Sequence, residues 1–194
     1  MDESRWDSRA NWNTPAPGDL ELVRRFLNTW RIADGSGEPA DELGGLLGDR
    51  GAWERRFPGW SPGPGDDKDL LRRLRGDLRG ALGAPGGWSE VLNGWLSGYP
   101  LVARVVVEDG GASVKYEPAA EEDFAGRVLA AVAGGVREGA FSRLKACPDC
   151  RWVFYDKSRS RTRVWCGMYA DEGGRACGTI SKVRRYRKRR KAGQ

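Results

Sequence analysis

All four cysteines of this 194-residue chain lie in its last quarter, at Cys147, Cys150, Cys166 and Cys177. The spacing is C-x2-C, then fifteen residues, then Cys, then ten residues, then Cys. A two-residue knuckle followed at this distance by two further thiols has the spacing of a structural zinc site. The chain contains no histidine, so a tetrahedral site here must be closed by four thiolates. Such a site keeps no open position for water or substrate, which makes it a scaffold and not a catalyst. Two disulfides would use the same residues but need an oxidising compartment. Reduced, unrelated core thiols and a four-thiolate iron–sulfur cluster are the other readings. The knuckle spacing favours one structural zinc ion.

The residues between the ligands are as particular as the ligands. The knuckle is followed by Trp152-Val153-Phe154-Tyr155-Asp156-Lys157-Ser158-Arg159-Ser160, then by Arg163-Val164-Trp165-Cys166-Gly167-Met168. This resembles the CGNR zinc finger family, in which C-x-x-C, an aromatic strand, D-x-S-R-N and R-x-W-C-S-M precede Cys-Gly-Asn-Arg and a basic helix. The signature itself reads Cys177-Gly178-Thr179-Ile180 here, without its Asn and Arg. The stretch before the last cysteine is longer than the family's, through residues 169–176. The preceding part is similar in layout to the ABATE domain, with Phe26-Leu27-Asn28-Thr29 as its most family-like piece. The resemblance implies a bacterial transcription regulator that binds DNA.

Charge points to the same class of partner. The net charge of +6 divides into +12 from residue 143 onward and −6 before it, counted along the chain. An imbalance of this kind between halves marks a nucleic-acid or membrane-surface partner for the basic half. From Lys182 to Lys191 eight of ten residues are basic, and Lys182, Arg184, Arg185, Arg187 and Lys188 are candidate phosphate contacts. Arg159, Arg161 and Arg163 form a second candidate ridge, with Ser158 and Ser160 as possible phosphate donors. Ile180, Val183 and Tyr186 recur every third residue and are expected to anchor the first turns of a helix. Beyond Tyr186 the like charges repel, so that end is expected to fray without a polyanion. The tail has too little apolar surface for a membrane helix.

Other elements must hold this module in place. Residues 1–18 read as a mobile tail, followed by a domain over 19–142 and the zinc module over 143–194. Asp19 is placed to cap a helix through about Ala33, with Leu22, Val23, Phe26, Leu27 and Trp30 on one face. Short helices are expected over 40–47 and 51–57, separated from the first by the break at 34–39. A clear amphipathic helix runs from Asp66 or Asp67 to Leu82. Its Arg72, Arg73, Arg75 and Arg79 read as the solvated face. After the break at 84–87, Ser89 should cap a further helix containing Val91, Leu92, Trp95 and Leu96. Residues 101–108 and 112–117 alternate around Asp109-Gly110-Gly111 as a hairpin. A long helix follows from about Ala119 to near Gly139. Phe141 to Lys145 connects to the knuckle, and Trp152 to Trp165 should form the finger's own hairpin, with Trp152, Phe154 and Trp165 covering the metal.

The expected fold is α+β: a mainly helical N-terminal domain with a small hairpin, then a treble-clef-like four-cysteine module with a basic C-terminal helix. Histidine-based catalysis is excluded, and no G-x-S-x-G or phosphate-loop motif is present. No enzyme activity is expected. The opening MDESRWDSRANWN carries no secretory apolar region, and the longest weakly polar run, Val128 to Val136, is far short of the roughly 20 residues of a membrane span. A cytoplasmic location is expected. The expected partner of the zinc module is duplex DNA. The N-terminal domain would take a small-molecule or protein effector. A protein-interaction adaptor and an RNA-binding protein are the alternatives.

Overall fold

The computed structural model describes residues 14–32, 38–82, 86–108, 110–119, 123–167 and 176–192. Its elements are α1 (Leu20–Leu27), β1 (Trp30–Arg31), β2 (Ala40–Asp41), α2 (Leu43–Gly48), α3 (Arg50–Arg56), α4 (Lys68–Ala81) and α5 (Trp88–Gly98). There follow β3 (Leu101–Glu108), β4 (Gly111–Pro118), α6 (Phe124–Arg137), β5 (Leu144–Ala146), β6 (Val153–Tyr155) and α7 (Cys177–Ala192). A 3-10 turn over Phe141–Arg143 joins α6 to β5. Among the described residues the strands pair in antiparallel twos: β1 with β2, β3 with β4, β5 with β6. The chain is thus a mixed α+β fold with a four-cysteine cluster at its C-terminal end. Among the described residues, no helix is long and apolar enough to cross a membrane.

Helix α1 forms the spine because Leu20, Leu22, Val23, Phe26 and Leu27 are all buried. Asp19 makes no side-chain capping bond, contrary to expectation. Glu21 ties down the entering chain instead, accepting from the Ala16 amide at 2.8 Å. Ala16 is buried, so the chain is already packed before Gly18; residues 1–13 of the expected tail lie outside the described residues. The helix stops at Leu27, earlier than expected, because Asn28 and Thr29 turn their side chains to other partners. Thr29 Oγ1 donates to the Phe26 carbonyl (2.7 Å), a bond that competes with helix continuation. Trp30 then belongs to β1, paired with Asp41, and Ala33 lies outside the described residues with most of the expected break.

The second helix starts at Leu43 and not at Ala40, because Ala40 and Asp41 pair with β1. Helix α3 is capped by Asp49, whose carboxylate accepts from the Gly51 and Ala52 amides. Helix α4 begins as expected, with Asp67 accepting from Asp69 and Leu70 amides. Its Leu71, Leu74 and Leu78 face the core. The neighbouring Asp66 is buried and reaches across to the start of α6, accepting from Phe124 (2.7 Å) and Ala125 (3.0 Å) amides. With Asp123, which accepts from Gly126, it satisfies the orphan donors of α6. That helix starts at Phe124, later than expected; 120–122 lie outside the described residues. Gly139 (φ 66°) closes α6: the Ala140 amide donates to Gly135 and the Gly139 amide to Val136, a Schellman pairing that needs a left-handed residue. Where α6 meets α1, a Cβ on Gly135 would fall 2.8 Å from Leu20 Cδ1.

The α5 helix starts at Trp88 behind Gly87, and Ser89 Oγ donates to the Gly86 carbonyl, so Ser89 is not the cap. The rings of Phe26, Trp53, Phe57 and Phe124 meet at 4.8 to 5.6 Å in the centre of the core. Leu144, Val153 and Tyr155, from the strands flanking the knuckle, belong to the same core. The hairpin β3–β4 pairs Val105 with Val114 at its middle, as the sequence suggests, with Asp109 outside the described residues. Val105 and Val107 remain about three-quarters exposed.

Candidate metal centre and its basic helix

The knuckle is built by backbone geometry. Cys147 and Cys150 are the ends of a tight turn between β5 and β6, closed by the Cys147 amide on the Trp152 carbonyl and the Arg151 amide on the Cys147 carbonyl, each at 2.9 Å. Arg151 takes φ 62° to make this reversal. The finger's hairpin is therefore β5–knuckle–β6, with Lys145 opposite Phe154. This corrects the expectation of a hairpin from Trp152 to Trp165, because the partner strand lies before the knuckle and residues 156–164 form a loop. Cys166 comes from the end of that loop, and Cys177 is the first residue of α7.

The structure brings all four sulfurs together, within 4.8 Å of one another, and all four residues are buried. Cys150 and Cys166 sulfurs are 3.5 Å apart, and those of Cys166 and Cys177 3.7 Å. A tetrahedral zinc with Zn–S near 2.3 Å sets its sulfurs about 3.8 Å apart. A disulfide needs about 2.05 Å, so the cysteines are free thiols and the pairing reading is excluded. The donor set fits zinc. Hydrogen bonds from Cys150, then Cys166 and Cys177, drive the Cys147 thiol far down, while Cys147 and Cys150 push Cys166 and Cys177 up. Four sulfurs this close share protons unless a divalent cation lets every one be a thiolate.

Phe154 packs fully buried against the four cysteines, with Trp152 and Trp165 partly buried beside it, so the three aromatics cover the centre as expected. Asp156 organises the loop behind them. Its carboxylate is wholly buried and accepts from Lys145 Nζ (2.7 Å), Ser158 N (2.9 Å), Ser158 Oγ (2.6 Å) and Arg163 N (3.0 Å). Burial alone would raise its pKa, but the Lys145 ammonium and the Ser158 donors hold it down to about 2. The D-x-S pattern is thus a loop clamp, and Ser158 is committed to Asp156 instead of being free for phosphate. Ser160 shares a hydrogen bond with Thr162.

Arg163 is also corrected. Its guanidinium turns inward, donating to the Trp165 carbonyl (2.8 Å) and to the Cys166 carbonyl, and lies over the Phe154 ring at 5.0 Å. There it offsets part of the double negative charge of a zinc tetrathiolate. Arg159 and Arg161 stay exposed, on the loop and not on a hairpin. Helix α7 carries Lys182, Arg184, Arg185, Arg187 and Lys188, all exposed. Arg184 pairs with Asp149 of the knuckle at 2.7 Å. Of the expected anchors only Ile180 is half buried; Val183 and Tyr186 are exposed, because α7 runs off the module after one turn. It remains helical to Ala192 where fraying was expected.

The residues that join the two parts were not singled out as site residues. Asn28 is buried and forms a two-way amide bridge with β6: Nδ2 donates to the Val153 carbonyl (2.8 Å) and Oδ1 accepts from the Val153 amide (2.7 Å). The Ile32 amide donates to the Cys150 carbonyl (3.0 Å). Arg79 donates to Leu27 and Arg151 carbonyls and stacks over Trp30; burial, then Arg75 and Arg151, pull its pKa to about 10. Arg75 is buried, forks onto Asp41 at 2.9 Å and donates to Thr29 Oγ1. Arg75 and Arg79 are therefore braces, not a solvated face, since a guanidinium with fixed acceptors tolerates burial. The signal was present, because Arg75 follows Leu71 by one turn and falls inside the apolar stripe of α4.

No curated protein matches the chain. Residues 143–190 match the family model described as the CGNR zinc finger, and in that segment Cys147, Cys150, Cys166 and Cys177 hold one structural zinc ion.

Proposed function

We propose that the protein is a DNA-binding transcription regulator in which the zinc ion staples α7 in a fixed direction for contact with duplex DNA. The observation that supports this most is α7 itself. It begins at a metal ligand, is braced by Arg184 on Asp149, and projects about 24 Å with its basic side chains exposed. Helical periodicity turns Lys182, Arg189 and Arg190 well away from Cys177 and Arg184, free to meet phosphates and base edges in a groove. Arg159 and Arg161 add exposed charge from the loop of the same module. Residues 19–142 serve as an ABATE-like part that senses a signal or binds a partner, and the junction built on Asn28 and Arg79 couples it to the finger. The chemistry is binding and not catalysis: every thiol is a metal ligand and histidine is lacking.

The test is titration of zinc-loaded full-length protein with a duplex recovered by genome-wide mapping of its binding sites. Affinity for that duplex should survive excess competitor DNA and fall with salt by about 0.9 in log K per log salt for each phosphate contacted. Binding that is equally tight to any duplex, or absent, rejects the regulator. The exposed Val105 and Val107 of β3 favour a second reading, a protein-interaction adaptor; it would bind a protein partner while failing the duplex test.

A further inference from the structure

Outside the zinc module, arginine side chains converge on a cleft of about 300 Å³ between α1 and α3. Glu21, Arg24 and Arg25 of α1 face Arg55 and Arg56 of α3 across it, and Trp152 of the zinc finger closes one side. Arg31 borders the same place, with its guanidinium 5.5 Å from the centre of the Trp152 ring. Five arginines thus gather here, with Glu21 paired to Arg24 and Arg25 and Glu42 to Arg31 among the described residues.

Glu21 has little acceptor capacity to spare, and Glu42 is already paired. Glu21 already accepts from the Ala16 amide, from Arg24 Nε and Nη2, and from Arg25 Nε; Glu42 is taken by Arg31 Nη2 at 3.1 Å. Arg56 Nη2 donates to the Arg25 carbonyl (3.0 Å), but Arg56 Nε and Arg31 Nε are buried without an acceptor among the described residues. Buried N–H groups are almost always paired in folded proteins, so two unpaired guanidinium donors beside one cleft are unusual. Arg55, at the mouth, makes no hydrogen bond or ion pair among the described residues and is exposed. Burial lowers the pKa of Arg56, and the nearby Arg31, Arg24 and Arg25 add to this against Glu42. The cleft therefore holds concentrated positive charge that its own carboxylates do not neutralise.

We propose that this cleft binds a small phosphate-bearing anion, held by Arg55 and Arg56 at the α3 side and by Arg31 at the Trp152 side. Guanidinium forks match the tetrahedral oxygens of phosphate. Phosphate at two negative charges or pyrophosphate offsets most of the excess, whereas a single carboxylate leaves most of it standing. A DNA backbone is the other source of phosphate, but Arg24 at the floor is 4% exposed, and only a small anion enters a space of this size. The inference gives a ligand class to the sensing part of the proposed function and takes its biological meaning from that reading. Occupancy of the cleft does not depend on DNA. Trp152 also accepts the Cys147 amide, so an anion in the cleft bears directly on the knuckle.

The experiment uses the zinc-loaded full chain, with inorganic phosphate and pyrophosphate as probes and acetate as the single-carboxylate comparison. Calorimetry gives affinity and stoichiometry, and arginine Nε–H resonances report the site. Pyrophosphate should bind at one equivalent, shift the Arg31 and Arg56 Nε–H signals, and bind more tightly than acetate. Arg55→Ala, at an exposed position, should weaken binding about tenfold, with zinc content and far-UV circular dichroism unchanged. A chain ending at 186 should keep the site. Unmoved Arg31 and Arg56 signals at millimolar pyrophosphate overturn the proposal. So does affinity that survives Arg55→Ala but vanishes on truncation, since the anion then sits on α7. If duplex DNA shifts these signals and neither phosphate probe does, the cleft belongs to the DNA surface and the small-anion site is refuted. A protein that binds no DNA at all but passes the anion test loses the regulator reading and keeps this one.

Discussion

Replacing Asn28 by alanine tests whether the helical part and the zinc finger stabilise one another. The Asn28 amide gives Val153 both an acceptor and a donor, at 2.7 and 2.8 Å, in a buried setting. Alanine leaves the Val153 N–H and C=O unpaired in the core. Each orphaned group costs roughly 1–3 kcal/mol, so the expected loss is about 2–6 kcal/mol, a large share of the 5–15 kcal/mol typical of a domain. With a urea slope of about 2 kcal/mol/M, a loss of about 4 kcal/mol moves the midpoint down by about 2 M. Asn28→Asp should be at least as damaging at pH 7, because it turns a carboxylate oxygen toward the Val153 carbonyl. The assay is urea unfolding in zinc-saturated buffer, followed by circular dichroism and by zinc release to a chromophoric chelator. Zinc should be released in the same transition that melts the helices, since Val153 and Tyr155 share the main core. A loss below about 0.5 kcal/mol, or zinc release that ignores the substitution, would refute the coupling.

Protein purified without added metal should carry about one zinc per chain, and Cys150→Ser should cut zinc retention sharply; a metal-free, folded, reduced protein would contradict the site. Arg163→Ala should weaken zinc retention while leaving the salt slope of DNA binding unchanged, because Arg163 serves the Trp165 and Cys166 carbonyls; Arg159→Ala should do the reverse, and the opposite pattern would return Arg163 to the phosphate surface. Deleting residues 187–194 should flatten the salt slope without changing zinc content, and an unaltered slope would make the end of α7 a bystander. Asp41 has its pKa held at about 2 by the Arg75 fork, against the effect of burial and with help from the Leu43 amide and Arg72. A depressed carboxylate stabilises fully above its unfolded pKa near 3.8 and loses that contribution as pH falls toward 2. Solvent screening at the partly exposed Asp41 reduces the full shift, so Asp41→Asn should lower stability by about 1 kcal/mol equally at pH 7 and pH 5. A gap that narrows between those two values would disprove the assignment.

Local chemistry was legible wherever neighbours in sequence are neighbours in space. The knuckle is one turn long, so Cys147 and Cys150 announce their pairing, and an all-thiolate centre follows from the absence of histidine. Asp67 before Leu70 and Leu71, and Gly110 between two alternating runs, act within a few residues and are read correctly. The basic composition of α7 is likewise visible without a fold. Apart from Arg75, whose place in the apolar stripe of α4 marks it as inward, the direction in which each arginine points was not legible, because a guanidinium reaches far enough to choose among several distant acceptors. Arg75 found Asp41 and Thr29, Arg79 found the Leu27 and Arg151 carbonyls, and Arg163 turned onto the backbone beside Cys166. The same holds for the clamp between Asn28 and Val153, which are 125 residues apart. The strand partner of β6 lay before the knuckle, where the metal turn reverses the chain, and not in the loop after it. The knuckle turn and the Asp67 cap are short-range and were set by the sequence alone; the Asp66 bonds to the start of α6 and the long side chains spanning two elements were decided only when the tertiary structure brought a buried partner within reach, since an unpaired charge in the core costs too much to persist.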